Sequence, residues 1–112
     1  MPFINTRTTK TITEDKELSI KTGLGEAIRA LGKSEGWLML NFEDNCRMYF
    51  KGQKGDMAMV EVSLFGSATN SQYDKMTALI TDIFSKELGI SPDKIYVKYE
   101  PVDTWGWNGS NF

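Results

Sequence analysis

The sequence predicts an α+β fold, a tandem β-α-β repeat in which a four-stranded mixed sheet carries two helices on one face. Three observations lead there. Hydrophobic periods along the chain read strand, helix, strand, short strand, strand, helix, strand, tail. A shift of 57 positions lays Leu31-Gly32 on Leu88-Gly89, Leu38 on Ile95, Leu40 on Val97, Phe42 on Tyr99 and Phe3 on Val60. The right-handed crossover rule then makes the two strands of each unit parallel. One domain over residues 1–112, with pseudo-repeats at about 1–55 and 56–112, accounts for the whole sequence.

Each element has a local reason. Phe3 to Thr8 is rich in β-branched residues and reads as a strand. Glu14, Asp15 and Glu17 favour a helix N-terminus, and Leu18, Leu24, Ala27, Ile28 and Leu31 recur at helical spacing until Gly32 ends the run. Trp37 to Phe42 reads as a strand, Glu43-Asp44-Asn45 as a turn, and Arg47 to Lys51 as a short strand stopped by Gly52 and Gly55. Met57 to Phe65 is a further strand. Asn70 and Ser71, with Asp74 three residues after Ser71, resemble a capping box ahead of Met76, Ile80, Ile83, Phe84 and Leu88, and Gly89 closes that helix. Lys94 to Glu100 alternates as a strand limited by Pro101, and the tail from Trp105 to Phe112 contains the turn dipeptide Asn108-Gly109.

Strand period aims Leu38, Leu40, Phe42, Ile95, Val97 and Tyr99 at the helices. Met39, Asn41, Glu61, Ser63, Tyr96 and Lys98 fall on the opposite face, which is too mixed for a dry core and too apolar for plain surface. That face and the short edge segment at Arg47 to Lys51 point to an oligomer.

Composition removes several function classes. The 112 residues are 40% apolar, with 13 basic and 15 acidic side chains and a net charge of −2. A chain of this size buries roughly two-thirds of its surface without staples. No window reaches the roughly 18 to 20 apolar residues that span a bilayer, and no basic-then-apolar signal pattern opens the sequence, so no membrane insertion and cytoplasmic synthesis are expected. Cys46 is the single cysteine and histidine is absent, which excludes intrachain disulfides, zinc fingers, Cys-X-X-Cys chemistry and histidine triads; no metal site is expected. A pI near 5.1 and the lack of a long basic run argue against a nucleic-acid partner.

Several segments carry a family likeness: Met1-Pro2-Phe3-Ile4, Leu31-Gly32-Lys33, Gly66, Ile90-Ser91-Pro92-Asp93-Lys94-Ile95-Tyr96-Val97, and Gly106-Trp107-Asn108-Gly109-Ser110. In order and spacing the sequence resembles the macrophage migration inhibitory factor and D-dopachrome tautomerase family of the tautomerase superfamily over essentially its full length. The resemblance implies a homotrimer with three sheets around a central channel, a pocket at each subunit interface and an N-terminal proline as catalytic base. It implies no cofactor.

Pro2 is the candidate base. A small residue after Met1 normally permits removal of the methionine, and the secondary amine so exposed has a reference pKa near that of an α-amino group, about 8, which burial or a nearby cation lowers. Lys33 follows a helix C-terminus, and the matching family lysine binds the substrate carboxylate. Gly32-Lys33-Ser34 is not the end of a phosphate loop, because Ala27 stands where the leading glycine is needed and a helix precedes it.

Tyr96 and Lys98 share one strand face. The resemblance places both in the neighbouring subunit's pocket, although the family usually has asparagine where Lys98 stands, so Lys98 faces either that pocket or the central channel. Trp37, Phe65, Trp107 and Phe112 match the aromatic pocket wall, with Trp37 in place of a usual tyrosine and Phe65 in place of a usual isoleucine. Trp105 reads as packing alone. Met57-Ala58-Met59-Val60 stands where the cytokine member has Cys-Ala-Leu-Cys, so no dithiol chemistry is expected. Cys46, in a turn region, is expected to take no part in catalysis.

The expected activity is cofactor-free keto-enol tautomerisation of small aromatic α-keto acids of the phenylpyruvate type. The alternative is a cytokine-like trimer with vestigial catalysis, secreted without a signal peptide and bound by a cell-surface receptor. A third reading is another superfamily reaction on a small acid, such as hydrolytic dehalogenation or decarboxylation.

Overall fold

In the computed structural model, which describes residues 1–112, strand β1 (Pro2–Thr8) runs through the centre of a four-stranded sheet. Its alternation explains the placement: Ile4, Thr6 and Thr8 are fully buried on one face, while Asn5 and Arg7 point to the other. β2 (Met39–Glu43) pairs with β1 in parallel, β3 (Ala58–Phe65) pairs with it antiparallel, and β4 (Ile95–Val102) runs parallel to β3, giving the order β2-β1-β3-β4. Helices α1 (Glu14–Ala27) and α2 (Asn70–Leu88) are the crossovers. Ile20, Leu24, Ile28, Met76, Ile80 and Phe84 pack onto Ile4, Val60, Val62 and Leu64.

The two halves match as the repeat requires, with one informative slip. From Leu31 onward the offset is 57, and it also lays the 3-10 turn at Glu35–Trp37 on the one at Pro92–Lys94. Before that point the buried positions match at 56: Ile4 with Val60, Ile20 with Met76, Leu24 with Ile80 and Ile28 with Phe84. Phe3 therefore matches Met59, not Val60. The cause is helical pitch. Residues Ile28–Leu31 form a 3-10 turn, which returns to the same face after three residues, whereas α2 stays α-helical and needs four to pass from Phe84 to Leu88.

Other boundaries differ from expectation for local reasons. Leu18 is 56% exposed, and the buried row starts instead at Ile20. Trp37 belongs to the 3-10 turn, so β2 begins at Met39. Arg47 to Lys51 forms no strand; Phe50 and Gln53 pair across a tight turn in which Lys51 and Gly52 take left-handed φ of 53° and 77°. The capping box that starts α2 is one step earlier than Ser71 suggested: the Gln72 N–H donates to Thr69 Oγ1 (3.2 Å), and the Thr69 N–H donates to Gln72 Oε1 (2.8 Å). Pro101 does not stop β4, because that strand is an edge and its outer side needs no donor. The tail folds as a hairpin, β5 (Gly106–Trp107) with β6 (Ser110–Asn111), around Asn108 and Gly109 at φ 53° and 88°.

Both sheet faces follow the strand period. Leu38, Leu40, Phe42, Val97 and Tyr99 pack against the core and Ile95 is buried within it, while Met39 and Tyr96 are 67% and 59% exposed on the far side. Register places Asn41, Asn5, Glu61 and Lys98 in one row across that uncovered face. Arg7 bridges Glu43 (3.6 Å) and Glu61, and Lys98 reaches Glu61 at 3.1 Å. The subunit exposes 6,824 Å², against about 6,200 Å² expected of a closed monomer of this mass. No helix is long and apolar enough to cross a membrane.

Candidate active site

A cleft of about 720 Å³ opens where the start of β1 meets the ends of β3 and β4. Met1, Pro2 and Phe3 form one wall, Gly36 to Met39 a second, and Trp105 to Trp107 with Val102 a third; Ser63 completes the lining. The strand register supplies the reason: Phe3 lies between Met39 on β2 and Ser63 on β3, so one row of side chains reaches the cleft from three strands.

Pro2 is the first residue of β1 and is buried. Ahead of it, the Met1 carbonyl accepts the Phe65 N–H at 3.0 Å. The Met1 amine is held below its ordinary value, first by burial and then by the positive charge of Lys33. Gly32, left-handed at φ 73°, ends the 3-10 turn and turns the chain so that Lys33 Nζ donates to the Phe65 carbonyl at 2.9 Å. Both sides of the Phe65 backbone are thereby tied to the site, its N–H to Met1 and its carbonyl to Lys33.

The aromatic candidates assemble into one chain of contacts. Trp37 meets Trp107 edge to face with centroids 4.9 Å apart, Trp107 lies nearly parallel to Phe112 at 6.3 Å, and Phe112 meets Phe65 at 5.7 Å. The Phe112 N–H donates to the Trp105 carbonyl (3.0 Å), and the Gly66 N–H to that of Val102 (2.8 Å), so the hairpin is tied to the sheet end beside Pro2.

Tyr96 and Lys98 lie elsewhere. Pro101 stands in register with Leu64, which faces Pro2; Tyr96 is five residues back along β4, roughly 17 Å at strand rise. Its ring meets Phe50 at 5.0 Å, and Lys98 is held by Glu61. The Glu61 carboxyl is pushed below the usual range, chiefly by the Lys98 hydrogen bond, with Arg7 adding to it against a smaller opposing effect of burial. Within one chain, the cation beside the terminal amine is therefore Lys33, and Lys98 belongs to the open sheet face.

Sequence reasoning missed Trp105, Phe3, Met39, Ser63 and Val102 as lining residues. Trp105 is two residues from Trp107, and the period-2 rule for an extended segment was the available signal. Cys46 sits beside a separate hollow of about 290 Å³, with its thiol donating to the Glu43 carbonyl at 3.3 Å. No cluster of His, Cys, Asp and Glu suited to a metal ion is present.

A mixed sheet of this order, with two crossover helices and a terminal amine beside a lysine, defines the tautomerase-superfamily fold. The family model described as macrophage migration inhibitory factor (MIF) matches residues 1–112, and the chain belongs to that family. It is similar to the crystal structure of Leishmania major MIF2, with 34% identity, coverage of 100% of this chain and 97% of that one, and a TM-score of 0.94. A macrophage migration inhibitory factor homologue from Prochlorococcus marinus is 28% identical, with 98% of each chain covered and a TM-score of 0.88. Macrophage migration inhibitory factor of Rattus norvegicus is 28% identical over 86 residues, 75% of each chain.

Proposed function

We propose that the protein is a cofactor-free tautomerase of small aromatic α-keto acids, with Pro2 as general base. The observation that carries this reading is the meeting of the chain's first residues, Lys33 and an aromatic wall at one cleft. Removal of Met1 exposes the Pro2 secondary amine inside that cleft. It also takes away the acceptor of the Phe65 N–H, which then offers a free donor to a substrate oxygen.

Lys33, together with that N–H, binds the carboxylate and orients the carbonyl. The unprotonated amine takes a proton from the carbon next to the carbonyl; the C–H electron pair becomes the C=C bond, and the carbonyl π pair moves to oxygen as the enol forms. Ketonisation runs the same steps backwards. Burial and Lys33 both favour the neutral amine, so a base is available near neutral pH. The aromatic wall covers the substrate ring and excludes water.

The working assembly in this reading is a homotrimer in which Tyr96 and Lys98 of one subunit approach the cleft of the next. Supporting it are the exposure of Tyr96, the uncovered sheet face and the surface in excess of a closed monomer. The test is phenylpyruvate ketonisation on preparations sorted by intact mass. Rate should track the fraction lacking Met1, and Pro2→Ala should lower it by about 10²-fold or more. Equal rates with and without Met1 overturn the reading, and tight capture by cell surfaces beside marginal turnover favours a protein-binding role.

A further inference from the structure

All three tryptophans of the chain line the cleft. They come from separate elements: Trp37 from the 3-10 turn before β2, Trp105 from the link after β4, and Trp107 from the hairpin. Trp37 and Trp107 meet edge to face yet stay 48% and 51% exposed, so indole surface is left uncovered on both. Clefts of about 300–1,000 Å³ take ligands of drug size, and at about 720 Å³ this one exceeds what a single phenyl ring with a three-carbon acid fills. Apolar walls left without partner atoms forfeit their dispersion contacts, so a ligand that fills the width gains over one that does not.

We propose that the cleft selects carboxylic acids carrying a bicyclic, indole-sized aromatic group over acids carrying one ring, with Trp37 and Trp105 as the specificity-determining residues. The acid group lies toward Lys33, which neighbours the Met1 amine, and the fused ring lies in the slot between the tryptophan-bearing elements. The inference rests on the cleft being the substrate site, and it adds the substrate class.

Calorimetric titration with 3-(indol-3-yl)propanoate and 3-phenylpropanoate tests it, because neither acid has a keto group and neither turns over. The indole acid should bind about tenfold tighter, the gain from the extra apolar surface of a fused ring. Trp37→Ala and Trp105→Ala should each bring the ratio toward one. Trp37→Phe and Trp105→Phe keep a packed ring and so guard against loss of fold; they should lower the ratio part of the way. A ratio of one in the parent protein, or a ratio untouched by all four substitutions, overturns the inference. Ketonisation of phenylpyruvate and indole-3-pyruvate is measured alongside. Turnover of neither acid with the binding preference intact defeats the catalytic reading and leaves the ligand class standing, while turnover without preference does the reverse.

Discussion

Lys33 is where sequence position and site chemistry meet most closely. Its place after a left-handed glycine sets the turn, and its ammonium is fixed on the Phe65 carbonyl. Lys33→Met removes the cation beside the terminal amine, so the amine should titrate higher, while remaining below its ordinary value because burial is the larger cause. Amine-selective labelling as a function of pH reads that shift. The same substitution should raise KM for keto acids more than it lowers kcat, as expected for a group that binds the carboxylate in both ground and transition states. Lys98 was expected to face either a pocket or a channel. In this chain its partner is Glu61, so Lys98→Asn should let the Glu61 carboxyl return upward toward the usual range, measured by carboxyl NMR titration. Pro2, Lys33 and the four aromatics were legible because each lies in a short segment of fixed spacing. Trp105 was not, since its role depends on how the tail closes over the sheet end.

Among the elements, α2 depends on a cap and a core anchor. Thr69→Ala removes the acceptor of the Gln72 N–H and should cost about 1 kcal/mol. Phe84→Ala empties a fully buried site beneath the sheet and should cost about 3–5 kcal/mol. Urea unfolding monitored by circular dichroism measures both. Here the sequence was readable wherever period was sustained: β1, β3 and both helices follow from alternation or helical spacing. It misled where one residue decides. Leu18 fits the helical row by count but faces solvent, and the 56-to-57 slip depends on whether a turn is 3-10 or α, which composition does not encode. Arg47 to Lys51 has strand-like residues, yet left-handed Lys51 and Gly52 fold it into a tight turn.

As a whole, the subunit carries an ionic row on its open face and exposes more surface than a closed domain of its mass. Glu61 titrates below its unfolded value, so its contribution to stability is present above the ordinary carboxylate range and is lost as pH falls through its lowered folded pKa. Thermal unfolding should therefore weaken more steeply on acidification in the parent protein than in Lys98→Asn. Sedimentation should find an assembled species, with Tyr96 protected from solvent relative to its 59% exposure in the single chain; a strictly monomeric protein would leave the open face without a partner.

The most direct measurement is the pH dependence of kcat/KM for phenylpyruvate ketonisation by protein freed of Met1. A Pro2 base held neutral by burial and Lys33 gives a rising limb between about pH 5 and 8, below the ordinary titration of a chain-terminal secondary amine, and Lys33→Met moves that limb to higher pH. A profile flat across that range, or a limb indifferent to the loss of Lys33, would contradict a proline base in this cleft.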